Sequence, residues 1–146
     1  MIIYLDVSCL NRPFDDLEQA RVRLEAKAVE ILIEQIDAGR HRQISSEMVV
    51  LEISAMPDAR KRERVQALLP IRVDIMGLTP AIFGRAAALE GLGFKSADAV
   101  HVAAAEAGEA DVLVTCDDRL LRLGLRLQDQ LRVRIANPLN WLQEHA

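Results

Sequence analysis

Short apolar, β-rich runs alternate along this chain with longer stretches of helical periodicity, and that alternation is the strongest restriction on its fold. Ile2-Ile3-Tyr4-Leu5 is the first such run and Asp6 closes it. Residues 17–38 follow, with apolar positions at Leu24, Ala28, Ile31, Leu32 and Ile36, the stripe of a helix packed on one face. Weak strand material over 42–45 leads into a helix through residue 55, ended by Met56-Pro57. A helix is predicted over 58–69 and a strand over 71–76, where Ile71, Val73 and Ile75 alternate with Arg72 and Asp74. Thr79-Pro80 opens a helix running to residue 92 in N-cap and N1 style, and alanine-rich 96–107 gives another. Residues 111–115 form a compact strand, 117–123 a short helix, 131–135 a last strand and 138–144 a terminal turn of helix. Strands separated by helices make a parallel sheet covered on both faces, an α/β fold. In such sheets ligands bind beyond the carboxyl ends of the strands.

Composition agrees with that reading. A chain of 146 residues suits one domain, and 51% hydrophobic against 27% charged residues supplies a core and excludes disorder. No apolar run reaches membrane-spanning length, and no basic leader precedes the apolar residues at the start. Two cysteines, Cys9 and Cys116, are too few for a disulfide scaffold and fit a reducing cytoplasm. Aromatics at 3% argue against a stacking platform for single strands. The acids outnumber the bases by 22 to 18, which at face value disfavours a nucleic-acid partner.

Four acids stand where a sheet-edge site would take its side chains. Asp6 follows the first strand and Asp117 comes just after the strand over 111–115; each also reads as a turn or helix-capping residue. Glu52 lies in the apolar stretch Met48-Val49-Val50-Leu51-Glu52-Ile53. Buried there, it needs a partner or a metal; on the outer helix face it needs neither. Asp98 sits among small apolar residues, either as a site carboxylate or as a first-turn acid behind Ser96. His101, one turn on, reads as a packed, hydrogen-bonded residue before it reads as a ligand. Glu47 suits the first turn of its helix. Converging carboxylates raise one another's pKa, and a divalent cation removes the conflict. Oxygen donors alone favour Mg2+ or Mn2+ over zinc. Such ions supply Lewis acidity and an activated water for displacement at phosphorus.

Other signatures are missing. There is no P-loop, no serine elbow and no paired cysteine motif, and Gly91-Leu92-Gly93 does not follow a strand. His41, His101 and His145 make no closely spaced pair. A dehalogenase-type phosphatase would carry a second Asp where Ser8 stands.

Tyr4-Leu5-Asp6-Val7-Ser8, Ser45-Ser46-Glu47 leading to Glu52, Ser96-Ala97-Asp98-Ala99-Val100-His101-Val102-Ala103 and Val114-Thr115-Cys116-Asp117-Asp118-Arg119-Leu120 resemble the PIN-domain family, most of all its VapC-like toxin branch. The resemblance keeps the order and spacing of all four acidic motifs over nearly the whole chain. It implies a single three-layer α/β/α domain over 1–146 with a mainly parallel sheet. It also implies an Mg2+- or Mn2+-dependent endoribonuclease, the toxin of a type II toxin–antitoxin pair, cytoplasmic, homodimeric and silenced by a small antitoxin. Asp6, Glu52, Asp98 and Asp117 would be its catalytic, metal-holding acids, with Asp6 and Asp98 the most direct ligands. Ser8, Thr115 and Asp118 would support and orient them. The family commonly has Thr where Val7 stands.

Setting those four acids aside leaves 18 acids against 18 bases, so the net charge does not exclude RNA. Phosphate contacts would come from Arg40, Arg42, the Arg60-Lys61-Arg62-Arg64 cluster, Arg119 and Arg122, although a solvated helix face explains the cluster equally well. The helix over 17–38 reads first as core and second as a dimer or antitoxin surface. Two other functions stay open: a non-catalytic RNA- or protein-binding module on the same fold, and a phosphatase.

Overall fold

The structure is a computed structural model that describes residues 1–145. Five parallel strands, β1 (Ile2–Leu5), β2 (Arg42–Ser46), β3 (Ile75–Met76), β4 (Val112–Val114) and β5 (Arg134–Ala136), lie in the order β3-β2-β1-β4-β5. Helices α1 (Val7–Asn11), α2 (Ala20–Asp37), α3 (Glu47–Ser54), α4 (Ala59–Gln66), α5 (Pro80–Gly91), α6 (Ser96–Ala107), α7 (Asp118–Arg126) and α8 (Pro138–Glu144) cover the sheet, giving the three-layer α/β/α arrangement. None of the described helices is long and apolar enough to cross a membrane.

Strand order explains where a site can form. From β1 the chain first builds outward through β2 and β3, then returns to place β4 and β5 on the other side. The reversal leaves a crevice at the carboxyl ends of β1 and β4, the switch point of an open parallel sheet. Both strands are central: Ile3, Tyr4, Leu5 and all of β4 are fully buried, as continuous apolar runs in parallel sheets are. Leu5 pairs with Val114, so the residues following each strand emerge side by side.

Three elements depart from the sequence reading. Residues 71–76 are not a full strand: a 3-10 turn, Arg72–Asp74, precedes the two-residue β3. The alternation there has no face to bury, since Ile71 and Val73 are 71% and 80% exposed. Arg42 instead draws in Asp74 at 2.5 Å, and the Asp74 amide closes the turn onto the Ile71 carbonyl. In α2 the expected positions Ala28 and Leu32 are buried, together with Val22, Glu25, Ala26 and Val29, while Leu24 points outward. Helix α1 has no counterpart in the sequence reading; Asp6 starts it by accepting the Cys9 amide.

Helix α7 runs to Arg126, past the expected end at residue 123, and at Gly124 it lies close against β5. A Cβ added at Gly124 would sit 2.7 Å from the Cβ of Ile135. Alanine would gain about 1 kcal/mol in helix propensity, but forcing a methyl into this contact costs about 1–3 kcal/mol. Gly124→Ala is therefore expected to lower the urea midpoint, with the m-value unchanged.

Candidate active site

The crevice begins with Asp6. Its amide donates to the Val114 carbonyl at 3.2 Å, so the β1–β4 ladder fixes its backbone. Its Oδ1 accepts the Ser8 hydroxyl at 2.6 Å and the Cys9 amide at 3.0 Å. The Cys116 amide donates to Ser8 Oγ at 2.9 Å, and Ser8 Oγ lies 3.2 Å from Thr115 Oγ1. Thr115 Oγ1 accepts the Asp117 amide at 3.1 Å. Two hydroxyls thus stitch the loop after β1 to the loop after β4. Burial pushes the Asp6 carboxyl above its ordinary value, against the opposing hydrogen bonds from Ser8, Thr115 and Cys9.

Asp98 enters from the first turn of α6, half-buried. Its carboxyl is also raised, first by desolvation, then by the charge of Asp117, with Asp6 and Glu52 adding to it. The charges of Asp117, Asp6 and Glu52 therefore act on Asp98, although each acid comes from a different element. No hydrogen-bond donor meets the Asp98 carboxyl among the described residues. Asp117 is exposed and caps α7, its Oδ1 accepting the amides of Arg119 at 2.9 Å and Leu120 at 3.2 Å. The capping role expected of Asp117 is the one its hydrogen bonds show.

Glu52 reaches the crevice from α3, half-buried, with Oε1 bonded to His101 Nε2. His101 is only 3% exposed, and its Nδ1 lies 2.7 Å from the Tyr4 hydroxyl, itself 2.7 Å from Ser46 Oγ. Burial pushes the Tyr4 phenol far above its ordinary value, so it keeps its proton. With a neutral imidazole the directions follow: Nε2–H donates to Glu52, Tyr4 O–H donates to Nδ1, and Ser46 O–H donates to Tyr4. A buried chain of three side chains, Ser46, Tyr4 and His101, thus sets the Glu52 carboxylate. Sequence reasoning placed His101 as a hydrogen-bonded helix residue but overlooked Tyr4 and Ser46. The available signal was a lone phenol inside a strand buried on both faces, which must find a partner.

Other predicted residues lie elsewhere. Asp118 turns away from the crevice and pairs with Arg21 of α2 at 2.6 and 2.8 Å; that guanidinium lowers its carboxyl below the usual range. The structure therefore does not group it with Ser8 and Thr115. Arg40 and Arg42 flank the amino end of β2, on the edge opposite the acids, and Arg42 is taken up by Asp74. On α4, Lys61 pairs with Asp15 at 3.2 Å and Arg62 donates to the Met56 carbonyl at 2.7 Å, while Arg60 and Arg64 are exposed. Arg119 and Arg122 are exposed on α7, beside the crevice.

The donor set suits an oxygen-preferring divalent cation: all four side chains are carboxylates, and two are held above their ordinary pKa by burial. Among the described residues, however, no group of three or more His, Cys, Asp or Glu side chains is placed to hold a metal ion.

A five-stranded parallel sheet with helices on both faces, and with Asp6 and Asp117 in the loops that leave its two central strands, defines an α/β/α class whose ligand site is expected at the switch point. The chain belongs to the PIN-domain family, whose profile matches residues 3–125. Proteins of this family are generally nucleases, and they typically use divalent metal ions. None of the curated protein sequences matches the chain. A similar solved structure is that of VapBC2 from Rickettsia felis bound to a DNA fragment from their promoter. The match has 15% identity and a TM-score of 0.55, over 94% of this chain and 98% of that one, and is a likeness of fold.

Proposed function

We propose that this chain is a metal-dependent endoribonuclease, the toxin of a type II toxin–antitoxin pair. The observation that carries the proposal is Asp98 in the first turn of α6, a half-buried carboxylate without a hydrogen-bond donor among the described residues, raised first by burial and then by the charges of Asp117, Asp6 and Glu52. Such a group is costly unless a cation meets it. Asp6, Asp98, Glu52 and Asp117 would hold Mg2+ or Mn2+, which when bound would supply Lewis acidity for phosphodiester hydrolysis. Ser8 and Thr115 keep the two loops in register, and His101 fixes the rotation of Glu52. The remaining partners of this reading are single-stranded RNA, a small antitoxin and a second copy of the chain, in the cytoplasm.

The test is cleavage of single-stranded RNA by purified protein with Mg2+ or Mn2+, repeated with Asp6→Ala and Asp98→Ala. Both variants are expected to lose at least about a hundredfold in rate. Undiminished cleavage in both overturns the assignment of the site. One observation favours a second reading, a non-catalytic RNA- or protein-binding module: among the described residues no group of three or more His, Cys, Asp or Glu side chains is placed to hold a metal ion. Titration calorimetry separates the two, since that module would give no heat with either metal.

A further inference from the structure

Beside the acidic crevice lies a cleft of about 530 Å³ lined by Gly93, Arg119, Arg122, Leu123 and Arg126. The three arginines stand at i, i+3 and i+7 of α7, hence on one face of the helix, spread over about 10 Å of its length. The first follows Asp117 by two residues, and its backbone amide donates to the Asp117 carboxylate at 2.9 Å.

The arginines of this cleft form no ion pair among the described residues, although the charge of Arg122 is felt by Asp118 at the start of the helix. Arg12, Arg21, Arg42, Arg85 and Arg134 each meet a carboxylate. Among the described residues Arg119, Arg122 and Arg126 meet none. Arg119 is nonetheless fixed, its Nη2 donating to the Gly93 carbonyl at 3.2 Å. Gly93 holds a φ of +112°, a left-handed conformation that turns the chain between α5 and α6 beneath the arginines. Guanidiniums gathered without ion-pair partners suit an extended polyanion, because each can clamp a phosphate through two donors.

We propose that the Arg119–Arg122–Arg126 face of α7 is the track for the phosphate backbone of a single-stranded nucleic acid, leading it to the acids at the mouth of the crevice. This deepens the nuclease reading and rests on it. It also narrows the basic groups: Arg40 and Arg42 stand on the far edge of the sheet and on α4 Lys61 and Arg62 are engaged within the protein, which leaves only Arg60 and Arg64 there exposed and without an ion pair among the described residues.

The experiment measures binding of a labelled single-stranded RNA by fluorescence anisotropy across ionic strength, with chelator present so that no cleavage occurs. Wild type is compared with Arg119→Ala/Arg122→Ala/Arg126→Ala, with the corresponding triple Lys variant, and with Arg72→Ala, which lies at the amino end of the sheet. Removing one phosphate-binding charge should lower the salt slope by about 0.7, so the triple Ala variant should be shallower by about 2 and bind at least about tenfold more weakly at low salt. The Lys variant keeps the charge and should keep the slope, which excludes misfolding as the cause; Arg72→Ala should match wild type. A triple Ala variant with wild-type affinity and slope overturns the track, and the face then belongs to an acidic protein partner or to solvent. If wild type cleaves RNA in the parallel metal-containing assay while that result holds, only the track fails. If wild type neither binds nor cleaves RNA, the nuclease reading fails and the track with it.

Discussion

Asp98→Asn is expected to make the metal-free protein more stable while removing its response to divalent cations. In wild type, Asp6 and Asp98 both hold carboxyls raised above their ordinary value by burial, and Asp98 is raised further by the charges of Asp117, Asp6 and Glu52. A native pKa above the unfolded one means the folded state binds protons that the unfolded chain has released. These two groups therefore favour folding most at low pH. That contribution is lost as pH rises from the unfolded carboxylate range through the raised native values. Near neutrality the crevice is a source of strain, which a bound cation relieves. Mn2+ at a hundred times its Kd should stabilise wild type by about 2.7 kcal/mol, roughly 5–10 °C in Tm for a chain of this size. Asp98→Asn should begin at a higher Tm, show a flatter acid-side profile and gain little from Mn2+. Thermal melts across pH, with and without Mn2+, read all three effects. A wild-type Tm indifferent to Mn2+ at every pH would show that the acids do not bind the ion.

The class of fold was legible in the sequence because parallel strands buried on both faces advertise themselves as unbroken apolar runs. Ile2 to Leu5 and Val112 to Val114 needed no tertiary information. Residues 71–76 misled because alternation records only which side chains could face a core, while the position of Asp74 was decided by Arg42 from another strand. On α2 only Leu24 was misplaced, for a related reason. A hydrophobic stripe drawn through Leu24 counts apolar residues alone, whereas the real inward face includes the carboxylate of Glu25. At the site, the four acids could be picked out one by one from their places at strand ends and in apolar helices. The parts that orient them were hidden, because Tyr4, Ser46 and His101 are separated by 42 and 97 residues in the bonds that join them. Asp117 and Asp118 illustrate the limit most sharply. Adjacent in sequence and identical in chemistry, they part because the first caps α7 toward the crevice and the second meets Arg21 on α2.

Glu25 carries the largest stability effect expected from a single side chain. It is 2% exposed, within the inward face of α2. Its Oε1 accepts Arg12 Nε at 3.0 Å and Nη2 at 2.7 Å, and its Oε2 accepts Arg21 at 3.4 Å and Asn137 Nδ2 at 2.5 Å. Three separate parts of the chain are therefore tied to one carboxylate: the turn after α1, the start of α2 and the cap of α8. Asn137 serves both ends, since its Oδ1 also accepts the Leu139 amide that begins α8. Removing the carboxylate does more than delete a bond. Arg12 has only 20% of its side chain exposed, and its remaining partner, Asp15, lies at 3.3 Å. Leaving such a guanidinium largely uncompensated costs about 3–5 kcal/mol, against a total of about 5–15 kcal/mol for an ordinary domain. Glu25→Ala should thus lose much of its stability to urea. Glu25→Gln keeps acceptor and shape but not the charge, and should fall between it and wild type. Glu144→Ala, which breaks the exposed Arg134 pair on α8, should leave the midpoint unchanged. Arg12 sits in the turn directly after α1, the helix that Asp6 caps, so a damaged Glu25 should also loosen the site. Hydrogen exchange of the Cys9 amide, bonded to Asp6, reads that coupling: faster exchange in Glu25→Gln under conditions where it remains folded shows that this buried ion pair braces the crevice, and unchanged exchange shows that it braces only the fold.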